Sequence, residues 1–163
     1  MLRMTKQADY GIVLMTHMAS DPKRRSTAPE LAAETMIPLP MVSKILKILS
    51  KGELLVSHRG VKGGYALARE PGEITVAEMI TALEGPIAFT ECIEGAPGAC
   101  TQEAYCRLRG NWQRINMALT QALEGISLEE LAQPMPPLVR LGAGLGSRTG
   151  LGARTGLDSE TGT

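Results

Sequence analysis

The chain has 163 residues, no net formal charge, 44% hydrophobic residues and only 3% aromatic residues. This size and composition indicate one ordinary globular domain with an added helical arm, whose core consists of aliphatic and methionine side chains. No run of about eighteen apolar residues is present, which excludes a membrane-spanning helix, and the amino terminus lacks the basic-then-apolar pattern of a signal peptide. We therefore expect a cytoplasmic protein in a reducing environment.

The zero net charge hides a division along the chain. Residues 1–69 hold 11 lysines and arginines against 5 acidic residues, whereas residues 70–137 hold 3 against 10. A basic segment attracts nucleic acid, but it can equally be a solvated surface. The charge distribution alone leaves both interpretations open.

The first part of the chain predicts three helices followed by a β-hairpin. Residues 5–20 carry a broad apolar face with helical spacing, and TAPE, which starts at Thr27, is a capping box that begins a short helix ending near Met36. Residues 40–51 repeat apolar side chains at intervals of three and four, which predicts a third helix that Gly52 terminates. The sequence LLVSHRGVKGGYALAR then indicates a strand, a glycine-rich turn and a second strand.

This order of elements is typical of a winged helix-turn-helix, in which the second helix of the pair enters the major groove of DNA. The polar face of that helix carries Ser43, Lys44 and Lys47, and the hairpin tip adds Arg59 and Lys62. The spacing and the charge together favour DNA binding. The alternative is a small helical core with a solvated lysine face.

Two further helices are predicted beyond the hairpin. A capping box formed by Thr75 and Glu78 begins the first, which Gly85 ends. The second carries a heptad-like apolar seam, made of Tyr105, Leu108, Trp112, Ile115, Leu119 and Ala122. Such an apolar seam is stable when it is buried from water, and the simplest partner that can bury it is the same helix of a second chain.

We therefore predict a homodimer with Leu108, Trp112, Ile115 and Leu119 at the interface. The alternative is a helix that packs back onto its own domain. The sequence SLEELA, which starts at Ser127, is a last capped turn. The glycine-rich residues that follow have no apolar period, so we expect them to be disordered.

All three cysteines lie in residues 86–106, here called the cysteine segment, which is rich in glycine and proline. In a reducing compartment, clustered cysteines are more often metal-binding or reactive than disulfide-bonded. The segment is therefore a candidate metal or redox site.

Several stretches resemble the Rrf2 family of bacterial transcription regulators, whose branches include IscR and NsrR. These are LRMTKQADYG at the start, PMVSKILKIL after the turn, HRGVKGGYAL in the hairpin, and the three cysteines before a long helix. The stretch NWQRINMALTQALEGISLEEL is most similar to the branch that regulates the SUF iron–sulfur assembly operon. The resemblance covers residues 1–132.

The resemblance implies a homodimer that binds a palindromic double-stranded DNA site. It implies that the helix of residues 40–51 reads the bases and that Arg59 reaches the minor groove. The residues assigned to DNA contact are Met41, Ser43, Lys44, Lys47, Arg59 and Lys62.

In many members of the family the cysteine segment holds an iron–sulfur cluster, which implies Cys92, Cys100 and Cys106 as its ligands. We expect a 2Fe-2S cluster, with 4Fe-4S as the alternative. Three soft thiolates and one different ligand suit such a cluster. A zinc site, a thiol switch without a metal and unligated cysteines are the competing interpretations.

The fourth ligand has several candidates. One branch of the family uses a histidine three residues after the third cysteine, but that position is Arg109 here, and arginine cannot release a proton to bind a metal. In the nitric-oxide-sensing branch an aspartate at the position of Asp9 completes the cluster from the partner chain. Glu91 and Glu103 are competing oxygen donors, and stabilisation of the positive end of the first helix is the simpler role for Asp9.

These features predict a DNA-binding regulator that senses iron–sulfur status and controls SUF-type assembly genes. A cluster-free repressor of the same family that responds to thiols or nitric oxide is one alternative, and an iron–sulfur carrier or interaction protein is another. The sequence contains no nucleophile–base pair, phosphate-binding loop or carboxylate couple, so we do not expect an enzyme.

The predicted fold is mainly α with a small β wing, a winged helix-turn-helix plus a long C-terminal dimerisation helix. Four regions are expected. The DNA-binding domain spans residues 1–85, the cysteine segment 86–106, the dimerisation helix with the last capped turn 105–133, and the disordered tail 134–163.

Overall fold

The computed structural model describes residues 4–60, 63–88, 90 and 106–134. In chain order the elements are α1 Lys6–Ala19, α2 Ala28–Thr35, α3 Leu39–Lys51, β1 Leu55–His58, β2 Gly64–Leu67, a 3-10 turn Pro71–Glu73, α4 Val76–Glu84, α5 Arg109–Glu124 and α6 Leu128–Ala132. The predicted mainly α fold with a small β wing is therefore confirmed. The tail from residue 135 onward lies outside the described residues.

Local hydrogen bonds begin four of these helices. Thr5 caps α1 by accepting a hydrogen bond from the backbone N–H of Ala8. The other three helices, α2, α4 and α6, begin with capping boxes at Thr27, Thr75 and Ser127. In each box the hydroxyl accepts from the backbone three residues later, and a glutamate there accepts in return from the backbone of the capping residue. The capping boxes expected from the sequence are confirmed.

The hydrophobic core lies where α1, α2, α3 and α4 pack together. Its largest fully buried side chains are Leu14, Met15, Leu31, Val42, Ile45, Leu46, Leu49, Leu54, Ile74, Met79 and Leu128. The core is aliphatic and methionine-rich, as the composition predicts. Leu128 belongs to α6, so the last capped turn packs into the same core as the first helices.

Backbone hydrogen bonds attach the chain on both sides of Ser127 to the start of α4. The N–H of Leu128 donates to the carbonyl oxygen of Ile74 at 2.8 Å, and the N–H of Val76 donates to that of Ile126 at 2.9 Å. The chain therefore leaves this core at the end of α4, passes through the cysteine segment and α5, and returns to the core through α6.

The wing is an antiparallel pair in which Leu55 faces Leu67 and His58 faces Gly64. Ser26, just before α2, adds a bridge on the outer side of β2, where its N–H and carbonyl oxygen exchange hydrogen bonds with Tyr65 at 3.0 and 2.8 Å. Gly64 makes this approach possible, because its φ is +148° and a Cβ there would lie 2.9 Å from the carbonyl oxygen of Ser26. The wing is thereby attached to the start of the helix-turn-helix.

Helix α5 packs against α4, and Leu108 precedes it as its N-terminal flanking residue. Tyr105, the first residue of the predicted seam, lies outside the described residues. Among the helices that the structure describes, none combines the length and the apolar character needed to cross a bilayer.

Candidate DNA-binding face and cysteine site

Helix α3 buries one face and exposes the other. Its core contacts come from Val42, Ile45, Leu46 and Leu49, which follow the spacing expected from the sequence. Lys44 and Lys47 are exposed on the opposite side, and Ser43 is half-buried beside them. Met41 is also half-buried and packs against the core, so only part of it is accessible.

The turn between α2 and α3 has an exposed apolar surface. Met36 ends α2 in the left-handed conformation, with φ of 58°, and its side chain is 87% exposed. Leu39, the first residue of α3, is 43% exposed. The sequence predicts this turn from its prolines, but it gives no sign that these side chains project into solvent.

The hairpin is joined directly to the end of α3. The N–H of Leu54 donates to the carbonyl oxygen of Leu49, and the N–H of Ala68 donates to that of Leu54, both at 3.0 Å. Arg59 follows β1 and is exposed, whereas Lys62 lies outside the described residues. Helix α3 and the base of the wing are therefore directly connected.

The exposed basic side chains of α3 and of the base of the wing are electrostatically uncompensated. Within the ranges that the structure describes, none of Lys44, Lys47 and Arg59 takes part in an ion pair. An exposed positive charge without a carboxylate partner is available to a phosphate.

The carboxylate of Glu34 connects α2 to α1 and to the turn between them. Arg24 donates a hydrogen bond to it at 2.6 Å, and His17 Nε2 lies 2.7 Å from its other oxygen. These two contacts, with Arg24 the stronger cause, lower the pKa of the Glu34 carboxyl below its ordinary value. The network therefore fixes α2 against the end of α1.

One of the three cysteines lies within the described residues. Cys106 is a half-buried free thiol just before α5, and its carbonyl oxygen accepts a hydrogen bond from the N–H of Arg109 at 3.3 Å. Cys92 and Cys100 lie outside the described residues. Among those described, no three histidine, cysteine or acidic side chains come close enough to hold a metal ion.

The other end of the cysteine segment is attached to the same helix. The side-chain amide of Asn116, in the middle of α5, donates a hydrogen bond to the carbonyl oxygen of Ile87 at 2.9 Å. Sequence patterns did not predict a role for Asn116. Its signal was a polar side chain four residues after Trp112, at helical spacing on a face that otherwise carries apolar groups.

Asp9 is exposed in the first turn of α1. That turn is attached to the end of α4, because the N–H of Thr5 donates to the Glu84 carboxylate at 2.7 Å and the Gln7 amide donates to the carbonyl oxygen of Leu83 at 2.9 Å. Asp9 therefore belongs to the part of α1 that lies beside the start of the cysteine segment.

The four residues predicted at a dimer interface differ in exposure. Leu108 and Ile115 are exposed, and Trp112 and Leu119 are half-buried. Leu123, farther along α5, packs against the core. The helix therefore contacts its own domain in part and leaves apolar surface of the seam accessible.

Comparison with known proteins identifies the family. A family model described as "Rrf2: Iron-dependent Transcriptional regulator" matches residues 4–134. The IscR regulator of Xenorhabdus nematophila is 31% identical over 134 residues, which cover 81% of this chain and 80% of the relative. The NsrR regulator of Shouchella clausii is 28% identical over 131 residues, which cover 80% and 88% of the two chains.

A solved structure agrees with this match. The chain is similar to CymR, described as the global cysteine regulator of B. subtilis, with a TM-score of 0.64 and 28% identity over 81% of this chain and 97% of that one. The relatives are transcription regulators, which confirms that the chain is a regulator and not an enzyme. The protein belongs to the Rrf2 family of helix-turn-helix transcription regulators.

Proposed function

We propose that the protein is a dimeric regulator whose affinity for a palindromic DNA site depends on an iron–sulfur cluster held by its cysteine segment. We also propose that the protein controls SUF-type iron–sulfur assembly genes. That assignment rests on the similarity of residues 111–131 to the corresponding branch of the family.

The DNA-binding half of the proposal is supported by the face of α3 and the wing. Lys44, Lys47 and Arg59 are exposed and unpaired in the described structure. Ser43 is half-buried beside these lysines, and we propose that it contacts a base edge. In helix-turn-helix proteins the basic groups hold the phosphates, and the side chains near the start of the second helix select the sequence.

One observation carries the sensing half of the proposal. Helix α5 holds both ends of the cysteine segment, through Asn116 at Ile87 and through the Arg109 N–H at Cys106. The far end of α5 continues into α6, whose Leu128 is buried in the DNA-binding core. A change in the conformation of the segment would therefore move α5. Because α5 continues into α6, it would also change the position of the DNA-binding domain.

The donor chemistry of the segment fits an iron–sulfur cluster. Cys92, Cys100 and Cys106 would supply three soft thiolates, and Cys106 is an unpaired thiol of the kind required. When bound, the cluster would cross-link the three cysteines. Oxidation of the cluster or loss of its iron would break this cross-link. Asp9 of the partner subunit is the proposed fourth ligand, since its carboxylate is exposed and accessible to a second chain.

The DNA half is tested by selecting binding sites from a random library and measuring affinity against salt. We expect a palindrome preferred by at least about a thousandfold over random DNA, and a log–log salt slope of roughly 0.9 for each phosphate contact. Arg59→Ala should weaken specific binding by about 1–3 kcal/mol. Arg114→Ala, which removes an exposed arginine from α5, is the matched control and should have little effect.

Binding without sequence preference, or binding unaffected by both salt and Arg59, would contradict this half of the proposal. Mapping the selected palindrome onto genomic DNA tests the target assignment. Sites absent from the promoters of SUF-type genes would remove that part and leave the regulator itself unaffected.

The sensing half is tested by anaerobic purification, an absorption spectrum, and assays for iron and sulfide. We expect iron and sulfide together in the wild type, their loss in Cys106→Ser, and a difference in DNA affinity between the loaded and the emptied protein. Iron without sulfide, or zinc alone, would contradict the cluster.

The similarity to CymR favours a second candidate, because that protein is described as a cysteine regulator. In this candidate the thiols respond directly to oxidation and hold no metal. It predicts a metal-free protein whose DNA affinity changes with oxidant and recovers with a thiol reductant. The metal and sulfide assay separates the two candidates.

A further inference from the structure

The first turn of α3 is apolar where it is exposed. Leu39 is 43% exposed and Pro40 is exposed next to it, with Met36 projecting into solvent from the preceding turn. None of these side chains belongs to the hydrophobic core or packs against it. They lie at the end of the helix that, in helix-turn-helix proteins, contacts the base edges.

The same turn has little capacity for hydrogen bonding. Pro40 has no N–H, and the N–H groups of Met41 and Val42 both donate to the carbonyl oxygen of Pro38, at 2.9 and 3.1 Å. No side chain caps this helix. The turn is therefore poorly suited to bind a phosphate, unlike the helix N-termini that serve as anion sites.

This apolar turn is continuous with the basic row of α3. Pro40, Lys44 and Lys47 are spaced at i, i+4 and i+7, so they share one line of the helix. If Lys44 and Lys47 contact phosphates along one edge of the major groove, Leu39 and Pro40, at the start of the same helix, come close to the base edges within it. The apolar group that a base pair presents in this groove is the C5-methyl group of thymine.

We propose that Leu39 and Pro40 determine sequence specificity by contacting thymine methyl groups within each half-site. This inference rests on the proposed function, in which α3 reads the DNA. The feature of the DNA that is recognised is the thymine methyl group, and the residues that recognise it are the apolar Leu39 and Pro40. Ser43, Lys44 and Lys47 then supply the remaining base and phosphate contacts.

The test replaces thymine by uracil at each position of the selected site, which removes one methyl group and leaves base pairing unchanged. For the wild type we expect at least one thymine in each half-site whose replacement weakens binding by about fourfold, the factor expected for burying one methyl group. In Leu39→Ala or Pro40→Ala, the same replacement should cost less than about twofold, because the contact is already lost.

Leu131→Ala is the matched control, since Leu131 is 39% exposed but lies on α6. It should keep the uracil sensitivity of the wild type. Circular dichroism and thermal unfolding of each variant establish that α3 is intact. A salt slope that stays unchanged in Leu39→Ala would show that the phosphate contacts remain.

The outcomes separate this inference from the proposed function. A wild-type protein that selects a palindrome but tolerates uracil at every position would overturn the inference alone, as would a Leu39→Ala variant with the wild-type pattern. Such a result would indicate that the apolar turn contacts another protein or only solvent. A wild-type protein that selects no site would overturn the proposed function and this inference together.

Discussion

The side-chain amide of Asn116 donates a hydrogen bond to the carbonyl oxygen of Ile87, 2.9 Å away, and so joins the middle of α5 to the entry of the cysteine segment. Asn116 is 9% exposed, and its hydrogen bond to Ile87 is partly buried. Asn116→Ala should lower the free energy of unfolding by about 1–3 kcal/mol, because it leaves the carbonyl oxygen without its partner. Urea denaturation measures this change.

Asn111→Ala is the control, because Asn111 is exposed on the same helix. It should change the unfolding free energy by less than about 0.5 kcal/mol. Equal stability of the two variants would mean that the contact between Asn116 and Ile87 does not hold the segment to α5.

The glycine at position 64 permits the close contact between the wing and the start of α2. A Cβ there would lie 2.9 Å from the carbonyl oxygen of Ser26, and φ of +148° is unfavourable for any side chain. Gly64→Ala should therefore destabilise the fold by about 1–3 kcal/mol and weaken DNA binding, since a backbone atom must move. Thermal unfolding and affinity for the selected site measure both effects.

At Gly110, in contrast, we expect a substitution by alanine to increase stability. A Cβ on Gly110, at the start of α5, would meet no heavy atom within 4 Å in the described structure. Gly110→Ala should raise the unfolding free energy by about 0.5–1 kcal/mol, because alanine loses less backbone entropy in a helix. Destabilisation by both substitutions would argue against the steric explanation for Gly64.

The ion-pair network of Glu34 makes part of the stability depend on pH. Its pKa is lowered first by the hydrogen bond from Arg24 and then by that from His17, relative to an ordinary value of 4.5. A carboxyl whose folded pKa is depressed contributes stability above its unfolded pKa and loses that contribution as pH falls through the folded value. The stability difference between wild type and Glu34→Gln should thus be present at neutral pH and vanish in acid.

Thermal unfolding at a series of pH values measures this difference. Glu70→Gln removes an exposed carboxylate that forms no ion pair in the described structure, so it controls for the general effect of charge. A Glu34→Gln deficit that is the same at neutral and acidic pH would indicate lost packing instead of a lost ion pair.

Signals that act over a few residues made much of the fold predictable. The capping residues Thr27, Thr75 and Ser127 each act within one helical turn. The spacing of apolar residues in α3 predicts which face of that helix is buried. The bridge between Ser26 and Tyr65 joins distant residues, and the pattern around either one does not reveal it.

The candidate site was predictable to a smaller extent for the same reason. Lysines opposite the apolar face of α3 identify a basic surface, but the exposure of Leu39 depends on how α2 and α3 pack. The attachment of Ile87 to Asn116 spans the whole cysteine segment, which no local pattern can encode. The assignments of Cys92, Cys100 and Lys62 remain predictions, since these residues lie outside the described structure.

The exposed part of the α5 seam predicts the dimer contact. Ile115 is 46% exposed in the single chain, although the heptad spacing places it at the centre of the seam. Ile115→Asp would put an unpaired charge into a dimer interface, which is costly, so we expect a monomer with weak affinity for the palindrome. Sedimentation at micromolar concentration measures the oligomeric state.

Met117→Asp is the matched control, because Met117 is 60% exposed on the same helix but lies off the seam. It should remain dimeric. A wild type that is already monomeric, or two variants that dissociate equally, would contradict a dimer formed through this seam.

The fourth ligand of the proposed cluster can be tested at Asp9. Asp9 is exposed in the first turn of α1, where a carboxylate also interacts favourably with the positive end of the helix by a few tenths of a kcal/mol. If it is the ligand supplied by the partner subunit, Asp9→Ala should change the absorption spectrum of the reconstituted cluster or shorten its lifetime in air. The variant should stay folded and dimeric, because the helix-end effect is small and α1 keeps its cap at Thr5.

Glu91→Ala and Glu103→Ala, reconstituted in parallel under anaerobic conditions, test the competing oxygen donors within the cysteine segment. The proposed role requires that Asp9→Ala alone alters the spectrum or the lifetime. An effect confined to one of the glutamate variants would move the fourth ligand into the segment. If Asp9→Ala changes only the stability of the metal-free protein, the role of Asp9 is to stabilise the start of α1. Loss of a cluster ligand would change the spectrum or the lifetime of the cluster, whereas loss of a helix-end charge would not.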